Sequence, residues 1–326
     1  MKYIYVPLER LDMRYTSHLD DDITTYLNDN NIQYIRIYPD IDIAAEPPDG
    51  LFLNPGFTTK FKSLQLAEIA RLYETNSIQN DDVFFFSDLW FPGIESIAYM
   101  NYFYKKETKI TGIIHAGSFT DTDFIRDCER WAKNFEDIIF DISSDIYVGS
   151  NFIKRDIVKK RIVNPEKIKI TPFPYHNHLG RYNITNEKEN IVIFNGRNCD
   201  EKQPWLFVEL EKQIKNCISD VKFINTQKLK LPKEEYYKLL NKAKVIVSFA
   251  LQENFGFGIL EATYLGCNPV VPNRLVYPEL YPVDFLYNNF TECVELVKNQ
   301  LLLYYKMHQL VPTINTNNTI QIWFNK

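Results

Sequence analysis

Two carboxylates with room between them carry the clearest chemical potential in this chain. Glu253 and Glu261 are separated by seven residues that include Gly256 and Gly258. The apolar run Val245 to Ala250 before them is short enough for a buried parallel strand. A polar loop, 251–254, then leads to a helical pattern from Ile259 to Leu265 that Gly266 is placed to end, and Pro269 to Val271 reads as the next strand. Glycines at the turn let backbone approach a ligand, and the exposed N–H groups of a helix start favour an anion such as phosphate. A carboxylate before that helix and another along it suit sugar or ribose hydroxyls. The ligand expected here is phosphorylated and rich in hydroxyls.

Other candidates also fall at strand ends. Asn195-Gly196-Arg197 follows the apolar run Ile191 to Phe194, and Lys202 comes five residues after Arg197. Two fixed cations can neutralise charge on a phosphate leaving group. Asp88 and Trp90 follow the strand Val83 to Phe86, where ligands bind in open α/β sheets. Trp90 reads equally as a flat platform for a sugar or base and as core packing. His115 ends the strand Lys109 to Ile114 and suits proton handling or a hydrogen bond to a hydroxyl, although a lone histidine is commonly structural. Asp121 and Asp123 follow it near an expected helix start. Arg14, in a charged loop after the first strand, reads as a solvated helix-start charge or as an acceptor contact.

The elements that must position these residues alternate strand and helix through both halves. In the first, Tyr3 to Val6, Ile32 to Ile37, Val83 to Phe86, Lys109 to Ile114, 145–149 and 167–171 are strands. Helices are expected from Thr16 or Ser17 as cap to Asn30, over 61–76, over 94–104, from Asp121 or Thr122, and over 150–160. The second half continues with helices 205–215 and 233–243 around a strand 221–225, then a long amphipathic helix 291–307 and a strand-like tail 319–324. Residues 175–190 read as a linker, in which His176 and His178 are too isolated for a metal site.

At 326 residues the chain is long enough for two domains, and a hydrophobic fraction of 45% supports full cores. The net charge of −5 provides no global field for nucleic acid. The run Lys154, Arg155, Lys159, Lys160 and Arg161 is the densest positive patch, either a solvated face or a polyanion contact. Five scattered cysteines without metal spacing fit reduced thiols in a cytoplasmic protein, and neither a signal peptide nor a membrane span is expected.

Glu253-x7-Glu261, with Phe255-Gly256 inside it, resembles the signature of retaining glycosyltransferases of the GT-B fold, and Gly196-Arg197…Lys202 resembles their Gly-Arg…Lys element. That element usually continues Lys-Gly; here Gln203-Pro204 follows Lys202, and the Gly-rich loop many such enzymes carry after the first strand is missing. The resemblance implies an α/β protein with two Rossmann-like domains facing a cleft: 1–176 for the acceptor, 177–288 for a nucleotide-sugar donor, and 289–326 packing back on the first. It implies that Arg197 and Lys202 meet the donor diphosphate and Glu253 the sugar. Asn254, Phe255, Gly256 and Phe257 would line the donor, and Glu261 would hold its ribose. His115 would lie near the transferred sugar, with Arg14, Asp88, Trp90, Asp121 and Asp123 on the acceptor side. UDP is the broader expectation for the nucleotide, without a metal or other cofactor; no Asp-x-Asp in the second half offers a Mg²⁺ site.

Residues 267–282, CNPVVPNRLVYPELYP, look like the corresponding stretch of tRNA-queuosine mannosyltransferases. Arg14-Tyr15-Thr16, the 88–93 segment DLWFPG and His115-Ala-Gly117 are similar to glycosyltransferases encoded by bacteriophages, some of which glycosylate hydroxymethylated pyrimidines in DNA. A modified base in nucleic acid is therefore the acceptor expected first. A small-molecule, tRNA, protein or glycan acceptor is the alternative, and a non-catalytic sugar-nucleotide-binding protein is the alternative of another class.

Overall fold

The computed structural model describes residues 1–11, 14–42, 53–182, 184, 187–229, 231–303, 316 and 318–324. Two compact units emerge: Met1–Pro174 with Asn317–Lys326, and Tyr175–Thr316.

The first unit runs β1 Tyr3–Val6, α1 Tyr15–Asp29, β2 Tyr34–Arg36, α2 Pro55–Glu74, β3 Val83–Phe86, α3 Glu95–Tyr104, β4 Lys109–Ile113, α4 Glu129–Ile142, β5 Asp145–Val148, α5 Asn151–Lys160 and β6 Ile168–Ile170. Its strands form one parallel sheet in the order β2-β1-β3-β4-β5-β6. Burial on both faces explains the unbroken apolar runs: Phe84, Phe85 and Phe86 are all fully buried in β3.

In the second unit come β7 Glu189–Phe194, α6 Pro204–Lys215, β8 Lys222–Asn225, α7 Lys233–Lys242, β9 Ala243–Val247, α8 Phe257–Tyr264, β10 Asn268–Pro272, α9 Tyr277–Leu280, β11 Leu286–Tyr287 and α10 Phe290–Leu302. The sheet is again parallel, in the order β11-β10-β9-β7-β8. Both units are thus Rossmann-like, as expected.

Strand order locates the sites. In the first sheet the order reverses between β1 and β3, in the second between β7 and β9. Ligands of open α/β sheets bind beyond the carboxyl ends at such switch points. The described loop residues there are 7–11, 14 and 87–93 in the first unit, and 195–203 and 248–256 in the second.

Several expectations need correction. The tail 319–324 is not a strand but a short helix, α11 Thr319–Phe324. Ile320, Trp323 and Phe324 are buried at helical spacing. Phe324 packs on Tyr3 and Phe85, and Trp323 lies against Tyr147 and donates to Thr171 Oγ1 at 2.9 Å. Helix α10 packs on β10, β11 and α6 of the second unit, so 289–326 does not return to the first unit as one segment. Residues 304–307, the expected end of that helix, lie outside the described residues. The segment 175–190 is integrated into the second unit rather than being a bare linker.

No helix starts at Asp121 or Thr122. Successive turns occupy 117–126, with Asp123 Oδ1 accepting from Ile125 N at 3.1 Å, before a 3-10 turn at Arg126–Cys128 and α4. Helix α1 begins at Tyr15 with Arg14 in the cap position, because Thr16 and Ser17 are turned inward; Thr16 Oγ1 accepts from Leu11 N at 3.2 Å.

Candidate functional site

Across the second switch point the two donor-side elements meet. After β7 the chain turns through 195–199 into a 3-10 turn, Asp200–Lys202, which aims Lys202 at the loop after β9. Lys202 Nζ donates to Gln252 O and lies 3.3 Å from Glu253 Oε2. Arg197 pairs with Glu201, whose carbonyl accepts from Leu251 N at 2.7 Å. Gln203, where the resemblance would have glycine, sits in the left-handed region at φ 50° and donates to Phe249 O at 2.6 Å. Its amide thus ties the same two loops together.

Glu253 also organises the helix start. Its Oε1 accepts from Gly256 N at 3.0 Å, and Gly256 caps α8 at φ 79°, a conformation that side chains resist. The N-terminus of α8, the positive end of its helix dipole, therefore stands beside Lys202 and Glu253. Gly258 is held against Asn195: a Cβ there would fall 2.4 Å from Asn195 Nδ2. Asn195 in turn donates to Tyr236 Oη at 3.0 Å.

Farther along α8, Glu261 is buried and accepts from Tyr237 Oη at 3.1 Å. Burial, reinforced by the Glu261 carboxylate, pushes the Tyr237 phenol far above its ordinary value, so it remains a donor. His178 Nε2 lies 2.9 Å from the same phenol oxygen and 3.5 Å from Glu261 Oε1. Gly196, Arg197, Lys202, Glu253, Gly256 and Glu261 thus share one strand-end region. Glu201, Gln203, Tyr237 and His178 belong to it too, and no spacing in the sequence singled them out.

The acceptor-side candidates are more dispersed. Asp88 Oδ2 is 3.1 Å from Lys62 Nζ and Asp88 Oδ1 accepts from Trp90 N at 3.1 Å; Lys62 also donates to Trp90 O at 2.7 Å. Lys62, on α2, is a buried partner that no motif indicated. Trp90 packs edge-on against Trp131 and Phe135 and donates its indole N–H to Glu136 Oε1 at 3.3 Å, which favours the packing reading over an open platform.

His115 Nε2 is 2.8 Å from Ser87 O, and its ring lies between Tyr15 and Phe173. Desolvation lowers its pKa below the ordinary histidine value, with Asp88 opposing. Asp88, Trp90 and His115 therefore gather at the ends of β3 and β4. Asp121 is exposed and paired to Lys160 at 2.8 Å, and Asp123 is buried in its own turn.

The basic run is largely consumed internally. Arg161 is buried against Glu136, Lys160 donates to Phe119 O and Asp121, and Lys154 donates to Ile168 O.

No protein-family model matches the chain. A tRNA-queuosine alpha-mannosyltransferase of Drosophila melanogaster is 50% identical over 58 residues, which span 18% of this chain and 15% of that protein. The lipopolysaccharide outer core galactosyltransferase WaaB superposes with a TM-score of 0.62 at 12% identity, covering 99% of this chain and 100% of that one. The pneumococcal O-GlcNAc transferase GtfA, solved with UDP and GlcNAc, gives a TM-score of 0.54 at 11% identity over 78% of this chain and 58% of that one. The chain thus spans about a seventh of the curated relative it matches, and the structural likenesses establish its fold: that of GT-B glycosyltransferases.

Proposed function

We infer that this protein is a retaining glycosyltransferase that moves a sugar from a nucleotide-sugar, UDP-linked, to a hydroxyl acceptor. The observation that carries the reading is the junction of Lys202 and Glu253 beside the α8 start, at the switch point of the second sheet.

Each part of that junction has a task in this chemistry. Arg197, Lys202 and the N-terminal dipole end of α8 bind the donor diphosphate and stabilise the charge that develops on it as the glycosidic bond breaks. Glu253, oriented by Gly256 N and Lys202, accepts from sugar hydroxyls, with Asn254, Phe255 and Phe257 beside it. Glu261, oriented by the Tyr237 phenol, takes the ribose. In this reading the cationic work belongs to Arg197 and Lys202, and no resident metal is invoked. UDP is supported by the ligand of the GtfA structure.

The acceptor is assigned to the first unit, around His115, Asp88 and Arg14, and we favour a hydroxymethylated pyrimidine in DNA. Neutral at physiological pH, His115 would hydrogen-bond the acceptor hydroxyl. The internal pairing of Lys160 and Arg161 favours a second reading of the acceptor, a small molecule or glycan, because it removes cations that a DNA backbone would use.

A donor-by-acceptor screen by mass spectrometry, with hydroxymethylated DNA among the acceptors, separates these readings. Wild-type protein is expected to hydrolyse or transfer from a UDP-sugar, and Lys202→Ala and Glu253→Ala to lose that activity. Full activity in both variants sinks the site assignment.

A further inference from the structure

One buried carboxylate that no motif indicated ties the loops after β3 and β4 to the end of α5. Glu136, on α4, has no exposed surface. Its Oε1 accepts from Ser118 N at 2.6 Å, in the loop after β4, and from the indole N–H of Trp90 at 3.3 Å, in the loop after β3. Its Oε2 accepts from Ser118 Oγ at 3.0 Å and from Arg161 Nε at 2.7 Å, at the end of α5. Arg161 Nη2 closes the ring by donating to Ser118 Oγ at 2.7 Å. The fit is close: a Cβ at Gly117 would fall 2.6 Å from Glu136 Oε1 and 2.3 Å from the Phe119 ring.

A buried ion pair is poor evidence for stability, because two desolvated charges cost about as much as their attraction returns. Its better-attested use is to specify one arrangement among several. Here the arrangement specified is that of the loops bearing Trp90 and, two residues before Gly117, His115. We propose that Glu136, held by Arg161, is a positioning residue that sets these two loops against each other and thereby governs acceptor recognition. The inference rests on the glycosyltransferase reading for its consequence in catalysis and on geometry alone for the coupling of the loops.

The test uses the full chain and the variants Glu136→Gln, Trp90→Phe and Ser118→Ala. By hydrogen-exchange mass spectrometry, Glu136→Gln is expected to accelerate exchange at least tenfold in peptides covering 87–93 and 115–121 together. Strands β3 and β4 and the second unit should keep wild-type rates, and the affinity for UDP should stay within twofold.

With the donor and acceptor found by the screen, the acceptor KM should rise at least tenfold while the donor KM stays within twofold. A purely structural role would raise exchange throughout the unit, or shift both KM values alike, and either result overturns the proposal. If Glu136→Gln does not fold, Trp90→Phe removes one bond of the same hub and Ser118→Ala two. An unchanged acceptor KM in both also overturns it. If wild-type protein binds UDP yet transfers no sugar, the functional reading fails by itself, and the exchange data decide the coupling: loops that loosen together uphold it, and loops at wild-type rates overturn it.

Discussion

At the switch point of the second unit, Lys202 and Glu253 pair with side chains 13% and 26% exposed, and Arg197 and Glu201 with 28% and 17%. In the first unit, between α4 and the end of α5, Arg161 and Glu136 pair with 1% and 0%. The two sheets share a topology, yet water reaches one set of charges and is shut out from the other. Exposed pairs are weak and exchange partners readily, which suits a site where a phosphate must take the place of a carboxylate. A sealed pair is costly to break and suits a scaffold that keeps one shape. In this pair of units, what an ion pair is suited to do follows from its solvent access more than from its residue types.

Four experiments would break or sharpen that contrast. The largest effect is expected from Lys202→Ala, which removes the cation that the proposed function sets against developing charge. Turnover of a UDP-sugar should fall about 10²–10³-fold, with little change in the unfolding midpoint. In the first unit, Arg161→Met strands a buried carboxylate and should cost roughly 3–5 kcal/mol in urea unfolding, while UDP binding persists.

A smaller effect is expected from Gly258→Ala, which forces Asn195 away from α8. It should destabilise by about 1–3 kcal/mol and weaken UDP binding, as read by calorimetry. The smallest concerns pH. Desolvation lowers the pKa of His115 in the first unit and of His176 in the second. The unfolded chain therefore binds more protons below the ordinary histidine value of about 6.5. Their stabilisation is complete above that pH and is lost as pH falls through the depressed values. His115→Phe and His176→Phe should each flatten part of the decline in stability between pH 7 and 5; wild-type slopes in both would refute the assignment.

The second unit was the more legible in sequence. Gly196, Arg197, Lys202 and Glu253 lie on short segments after strands that are continuous apolar runs, and Glu261 on the helix that follows, so chain order already places them near adjacent strand ends. The first unit was legible as strands and helices but not as a site. Glu136 and Arg161 are 25 residues apart on different helices, and no periodicity connects them. Arg161 looked like one more cation of a surface run, and only the packing of α4 against the loops buries it. The tail was misread for a different reason. Its residues read as strand-like, whereas the buried set Ile320, Trp323 and Phe324 follows the helical period. Lys62 was hidden because it lies on α2, remote in sequence from the Asp88 it holds.

The last helix also bears on how the chain is made. Trp323 and Phe324 fill a recess among Tyr3, Phe85 and Tyr147, in a unit whose other residues end at Pro174. During synthesis those rings leave the ribosome long before the residues that cover them, with the whole second unit translated in between. The nascent first unit must wait with an uncovered aromatic surface, a period in which chaperone contact or aggregation competes with folding. Its final closure is therefore timed by the completion of its neighbour.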